Sequence, residues 1–178
     1  MISQEEYIQL QSFSRYDGAL TAAIWTSSFA LYVIGISNPL LMMVGVALGV
    51  YSPFFVARRL HRFRDDARGG IISFRRAYAY SVSVFCHAAL LFAVAQYVYF
   101  AFIDNGYISN CVAQVFSDPQ MQQTIKTSGM EKTLESSLEA MRMVRPIDYA
   151  LNNLTLNIAL GLLLALPIAG AMRRSGRQ

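Results

Sequence analysis

Seven arginines and no lysine occupy residues 58–76, in the stretch "RRLHRFRDDARGGIISFRR". They are Arg58, Arg59, Arg62, Arg64, Arg68, Arg75 and Arg76. A guanidinium grips phosphate or carboxylate through a planar fork of N–H donors, whereas an ammonium acts as a point charge. The only lysines of the chain, Lys126 and Lys132, lie elsewhere. Such a cluster beside a membrane attracts anionic headgroups at about 1 kcal/mol per residue. The chemistry it offers is therefore contact with a lipid phosphate or with an acidic protein surface. Its other reading is topological, because a basic loop stays on the cytoplasmic side whatever else it does. Arg62 with Asp66 (i,i+4) and Asp65 with Arg68 (i,i+3) have the spacing of helix ion pairs, so the loop should be a short helical extension. Gly69 and Gly70 should end it.

Catalytic chemistry is sparsely represented. His61 with Asp65 and Asp66 is the one acid–base candidate beside the arginines. Cys86 falls in an apolar run and Cys111 in a polar one, so the two should not pair. The two histidines, His61 and His87, fall at different levels and form no zinc set. Met121, Met130, Met141 and Met143 are better read as apolar filler than as copper ligands. No phosphate-cradling glycine loop and no acidic metal motif is present. The balance is against catalysis, and no metal, cofactor or nucleic acid is expected.

A second polar group is the run Asn152, Asn153 and Asn157 in the outer half of the last span, where Asn153 and Asn157 share a helix face with Tyr149. With His87 and Asp104 it has two readings. Amides can hydrogen-bond between membrane helices, or they can line a hydrated cleft used by a small transporter or a lipid-handling protein. Gly45 and Gly49, and Gly161 with Ala165, have the four-residue spacing of small residues that lets helices approach closely. They suit packing within one bundle, with a homodimer as the alternative.

The elements that must position these groups follow from the distribution of charge. The chain has 178 residues, of which 54% are hydrophobic and 15% charged, with a mean hydropathy of +0.35. Soluble domains hold about 25% charged residues. No Asp, Glu, Lys or Arg occurs in residues 18–57, 77–103 or 149–172. A helix needs roughly 20 mostly apolar residues to cross the hydrocarbon. The first gap is long enough for two crossings and breaks at "GISNP", where Pro39 can open a new helix. Four spans are expected, at about 18–37, 39–58, 77–103 and 148–172, in an all-α integral membrane protein. The first should stay attached, because Glu5 and Glu6 replace the basic leader of a signal peptide.

With both termini inside, 11 of the 15 basic residues are cytoplasmic, which is the orientation the positive-inside rule favours. Residues 58–76 then form a cytoplasmic basic loop and residues 104–147 a periplasmic insert, all within a single four-helix membrane domain. In the insert, residues 107–117 can form a helix, and Asp118-Pro119 should cap and open a second to about Thr127. Met130, Leu134, Leu138 and Met141 make an apolar stripe on a third, which Pro146 should end.

The order of these elements carries a resemblance. A helical hairpin leads to "RFRDDARGGIISFRRA", with Gly70, Ser73 and Phe74. A long span ending in "YVYFAFID", an outer helical segment and a last span with a short basic tail follow. Over nearly the whole chain this resembles the small four-span inner-membrane proteins of Gram-negative bacteria grouped as domain of unknown function 4199. The resemblance implies no activity for particular residues. It does imply an association with membrane glycosyltransferases that use polyprenyl-phosphate carriers. The arginine-rich loop departs from the lysine-rich loops expected of the family and keeps the same charge. The expectation is a non-catalytic inner-membrane accessory or scaffold subunit, whose arginine collar meets anionic lipid phosphate or a membrane-enzyme partner.

Overall fold

The computed structural model describes residues 4–174, and the described residues are helical apart from short connections. Helix α1 is Gln4–Ile34, and a 3-10 turn over Gly35–Ser37 joins it to α2, Pro39–Arg68. Helix α3 is Phe74–Phe102; three short helices follow, α4 (Tyr107–Phe116), α5 (Pro119–Thr127) and α6 (Glu131–Met143), and then α7, Pro146–Met172. Four of them are long and apolar enough to cross a membrane: Gln4–Ser37 (α1 with its turn), Pro39–Arg68, Phe74–Phe102 and Pro146–Met172. Of the basic tail, Arg177 lies outside the described residues, as do Met1–Ser3.

The chain divides into two compact units, Met1–Ala95 with Asn152–Gln178, and Gln96–Leu151. In the first unit the break at "GISNP" forms as its chemistry requires. Asn38 is extended, its side chain accepts from Leu40 N at 3.2 Å, and Pro39 opens α2. Pro53 sits inside α2. It lacks the N–H that would bond the carbonyl four residues back, at Gly49, and Ser52 Oγ donates to that carbonyl instead at 2.8 Å. At its far end α2 runs ten residues past the expected span and stops at Arg68. Gly69 caps it at φ 60°, a conformation that favours glycine, and Gly70 N donates to Arg64 O at 3.0 Å.

Helix α1 departs furthest from expectation. The apolar run starts at Gly18, yet the helix starts at Gln4, with Glu5 and Glu6 in its first turn, where the helix dipole favours negative charge. Leu10, Ser14, Asp17, Thr21 and Ala22 form its buried stripe. The helices touch where side chains are small. A Cβ added at Gly18 would lie 2.6 Å from His87 Cβ, one at Gly45 would lie 2.9 Å from Ser28 O, and one at Gly161 would lie 2.6 Å from Phe85 Cβ. Each glycine therefore marks a close approach within this chain, α1 on α3, α2 on α1, and α7 on α3. At Gly49 the nearest atom is Ser28 Oγ, at 3.1 Å, and Ala165 is fully buried.

In the second unit, Asn105 (φ 43°) and Gly106 (φ 80°) turn the chain from α3 into α4. The third insert helix ends at Met143, earlier than expected, and Pro146 opens α7 rather than closing α6. Pro146 disfavours helical geometry at Arg145, and Val144 before it is already extended.

Candidate functional site: an arginine collar and the groove below it

Past Val56, α2 turns from apolar to basic. Leu60 and Phe63 continue its buried stripe, which leaves the arginines between them pointing in different directions. Among the described residues, four of the seven pair with carboxylates of the protein. Arg59 Nε donates to Asp17 Oδ1 at 2.5 Å. Arg64 bonds Asp65 at 2.7 Å and, through Nη1, the carbonyl of Met172 at 3.3 Å, near the C-terminus of α7. Arg68 and Arg76 share the carboxylate of Glu6, at 2.9 and 2.6 Å. One glutamate on α1 thus ties the end of α2 to the start of α3. Backbone bonds between Ile72 and Arg174, at 3.1 and 3.0 Å, fasten the connection below.

Asp17 is the centre of this network. It is 1% exposed, and its second oxygen, Oδ2, accepts from the Tyr80 hydroxyl of α3. Tyr80 is fully buried and stacks on Phe63 of α2, with ring centroids 4.7 Å apart. Thr21 Oγ1 donates to the Asp17 carbonyl at 2.8 Å, and Ser14 and Ser83 hydroxyls pair at 2.8 Å one turn away. Three helices therefore meet on one carboxylate, and both of its oxygens are used. A buried carboxylate is tolerable only when it is paired and hydrogen-bonded in this way.

Sequence reasoning missed Asp17, Tyr80 and Glu6. Asp17 precedes the charge-free run by one residue and reads as its boundary. The missed signal is the spacing Leu10, Ser14, Asp17, Thr21, which is one helical stripe of mainly small and polar residues. The expected Arg62–Asp66 and Asp65–Arg68 pairs do not form. Asp65 takes Arg64 and His61 instead (His61 Nδ1 to Oδ2, 3.1 Å), and Arg68 turns to Glu6. Arg64 beside it holds the Asp65 carboxyl below the usual carboxylate range.

The other three arginines, Arg58, Arg62 and Arg75, are exposed. Among the described residues Arg62 and Arg75 form no ion pair, and Arg58 reaches only the Tyr51 hydroxyl, at 3.4 Å. Arg58 and Arg62 stand one turn apart over a groove of about 840 Å³. Tyr51, Phe54, Phe55, Ala57 and Met172 make its apolar wall, and Arg58, Arg59, His61 and Arg62 its basic rim. Arg59 belongs to both systems, being bonded to Asp17 and lining the groove.

The polar residues of the proposed cleft fall in two units. Asn152, Asn153, Asn157 and His87 belong to the first and Asp104 to the second. His87 Nδ1 is 2.7 Å from the Ser83 carbonyl, a bond within its own helix. Asn152 is exposed, while Asn153 and Asn157 are half-buried. Asp104 is fully used as a cap. It accepts from Gly106 N at 3.1 Å, from Ile108 N at 3.2 Å and from the Tyr99 hydroxyl at 3.1 Å. Cys86 and Cys111 are both free thiols. Among the described residues no group of three or more His, Cys, Asp or Glu side chains gathers to hold a metal.

The stretch that matches one family, residues 16–174, takes in α1 from Tyr16 onward, the other three long apolar helices, the basic junction at the end of α2 and the helical insert before α7. The chain belongs to the family described as protein of unknown function (DUF4199). The match takes in the whole collar, the groove, Asp17 and Tyr80, and it begins after Glu6. No curated protein and no solved structure matches the chain.

Proposed function

We propose that this protein is a non-catalytic accessory or scaffold subunit of a bacterial inner membrane that binds anionic lipid through its collar. The termini and the arginines face the cytoplasm in this reading, as the bias of basic residues favours. The observation that carries it is the division of labour among the arginines. Arg59, Arg64, Arg68 and Arg76 hold the helices together, whereas Arg58 and Arg62 overhang an apolar groove. A basic rim above an aromatic and aliphatic wall suits a molecule with a phosphate head and a hydrocarbon tail. An acidic protein surface would use the rim and leave the wall idle, so lipid is the favoured ligand. A membrane glycosyltransferase that handles lipid phosphates is then the kind of enzyme such a subunit would serve.

The test is purification in mild detergent followed by analysis of retained lipid. Wild-type protein should keep anionic phospholipid, and the R58Q/R62Q double variant should lose it while remaining folded. A wild-type protein isolated alone, with no anionic lipid and no partner, would overturn the proposal. Orientation is tested separately, by labelling R62C with a membrane-impermeant thiol reagent in a background lacking Cys86 and Cys111. Labelling from the periplasmic side would reverse the assigned topology.

A further inference from the structure

Resting on the lipid-binding reading, we infer that the groove selects a lipid phosphomonoester, and that Asp17 sets this selectivity by positioning Arg59. Arg59 Nε is committed to Asp17 Oδ1 at 2.5 Å, and its guanidinium carbon lies 5.7 Å from the centroid of the Tyr16 ring. A guanidinium fixed through Nε still has the four N–H bonds of its two terminal nitrogens to offer. Among the described residues these nitrogens have no acceptor, and the side chain lines the groove. The buried carboxylate thus fixes the base of the fork and leaves its tines available. Tyr80 holds the carboxylate in turn through the other oxygen. Arg59 is therefore preorganised, whereas Arg58 and Arg62 are exposed and adjustable.

Charge then distinguishes between headgroups. Three guanidinium groups stand at the rim against one carboxylate of Asp17, an excess of two positive charges. His61, the remaining basic group of the rim, is paired with Asp65 at 3.1 Å. A phosphomonoester carries about −1.5 to −2 charge near neutral pH and three terminal oxygens. A phosphodiester headgroup carries a single charge and two such oxygens. Bidentate contact from Arg59, together with one contact each from Arg58 and Arg62, uses the oxygens of a monoester and matches its charge. The apolar wall of Tyr51, Phe54 and Phe55 gives the attached chain a place that free phosphate would leave empty.

The experiment uses the full chain in nanodiscs of phosphatidylcholine doped with either phosphatidic acid or phosphatidylglycerol, read by native mass spectrometry of retained lipid. The extra headgroup charge should favour phosphatidic acid by about fivefold. R59K keeps a positive charge for Asp17 but has no second nitrogen to offer the groove, so it should fold and lose the preference. D17E should keep the preference; D17N adds to the positive excess of the rim but loosens Arg59, so a folded D17N should lose the preference, and a stronger preference would overturn the positioning role of Asp17. Should D17N fail to fold, R59K and R62Q still decide the matter, because Arg62 is exposed and, among the described residues, forms no ion pair. Equal retention of the two lipids would overturn the monoester inference and leave the lipid-binding reading standing. Retention of neither would overturn both. Competition by inorganic phosphate as strong as that by phosphatidic acid would identify a soluble anion as the ligand and overturn the inference.

Discussion

The two units of this protein differ in how far along the chain their polar side chains reach, although both also hold local bonds. In the first, polar bonds join residues far apart in sequence: Asp17 to Arg59 and Tyr80, Glu6 to Arg68 and Arg76, Ser14 to Ser83. In the second, characteristic bonds stay local. Asp104 caps its own turn, Arg145 pairs with Asp148 three residues on at 2.8 Å, and Tyr149 donates to the Met141 carbonyl at 3.1 Å. Helix α4 has no buried residue, whereas α1 buries seven. The lesson concerns specificity. Apolar faces in a membrane bundle slide past one another at little cost, because lipid tails are as apolar as leucine. A carboxylate that must meet two particular donors admits one register. Short amphipathic helices with local caps need no such lock.

That contrast can be broken in four places, beginning with the largest effect. D17A should destabilise the first unit by about 3–5 kcal/mol, since it strands the Arg59 charge and the Tyr80 hydroxyl. Thermal unfolding in detergent measures this, and a melting temperature unchanged from wild type would remove Asp17 from the centre of the network. Second, G18V forces α1 off α3 at His87 and should cost about 1–3 kcal/mol. If its stability matches that of a valine introduced at the exposed Ala19, then the close approach has no energetic importance. Third, D104A removes a cap and should cost about 1 kcal/mol. Its faster hydrogen exchange should be confined to residues around 99–110, and a spread into α1 or α2 would erase the distinction between local and long-range bonding. Fourth, E6Q weakens two partly exposed pairs and should cost no more than about 1 kcal/mol. A loss as large as that of D17A would shift the weight of the bundle from the buried carboxylate to the collar.

Much of the fold was legible before any coordinates. Three gaps in charge gave four membrane-length helices, and "SNP" located the break between the first two, because an asparagine cap followed by proline can hardly do otherwise. The helical extension of α2 and its glycine stop were legible for the same local reason. The insert helices were legible from their apolar stripes and from Asp118-Pro119. The site was legible only in part. The arginines stood out as a group, but no local rule separates Arg59, which turns inward, from Arg58, which does not. The expected Arg62–Asp66 and Asp65–Arg68 pairs failed because helical spacing permits a pair without requiring it; Asp65 met Arg64 and His61, and Arg68 met Glu6.

The sequence by itself determined the helices, their breaks and the place where positive charge collects. Each of these depends on neighbours within a turn or two, or on a running count of apolar residues. Tertiary structure alone decided which arginines hold the bundle and which face the groove. That choice rests on Asp17 and Glu6 arriving from another helix, 42 and 62 residues away in the chain. Charge is a property of the segment, but its partner is a property of the packing.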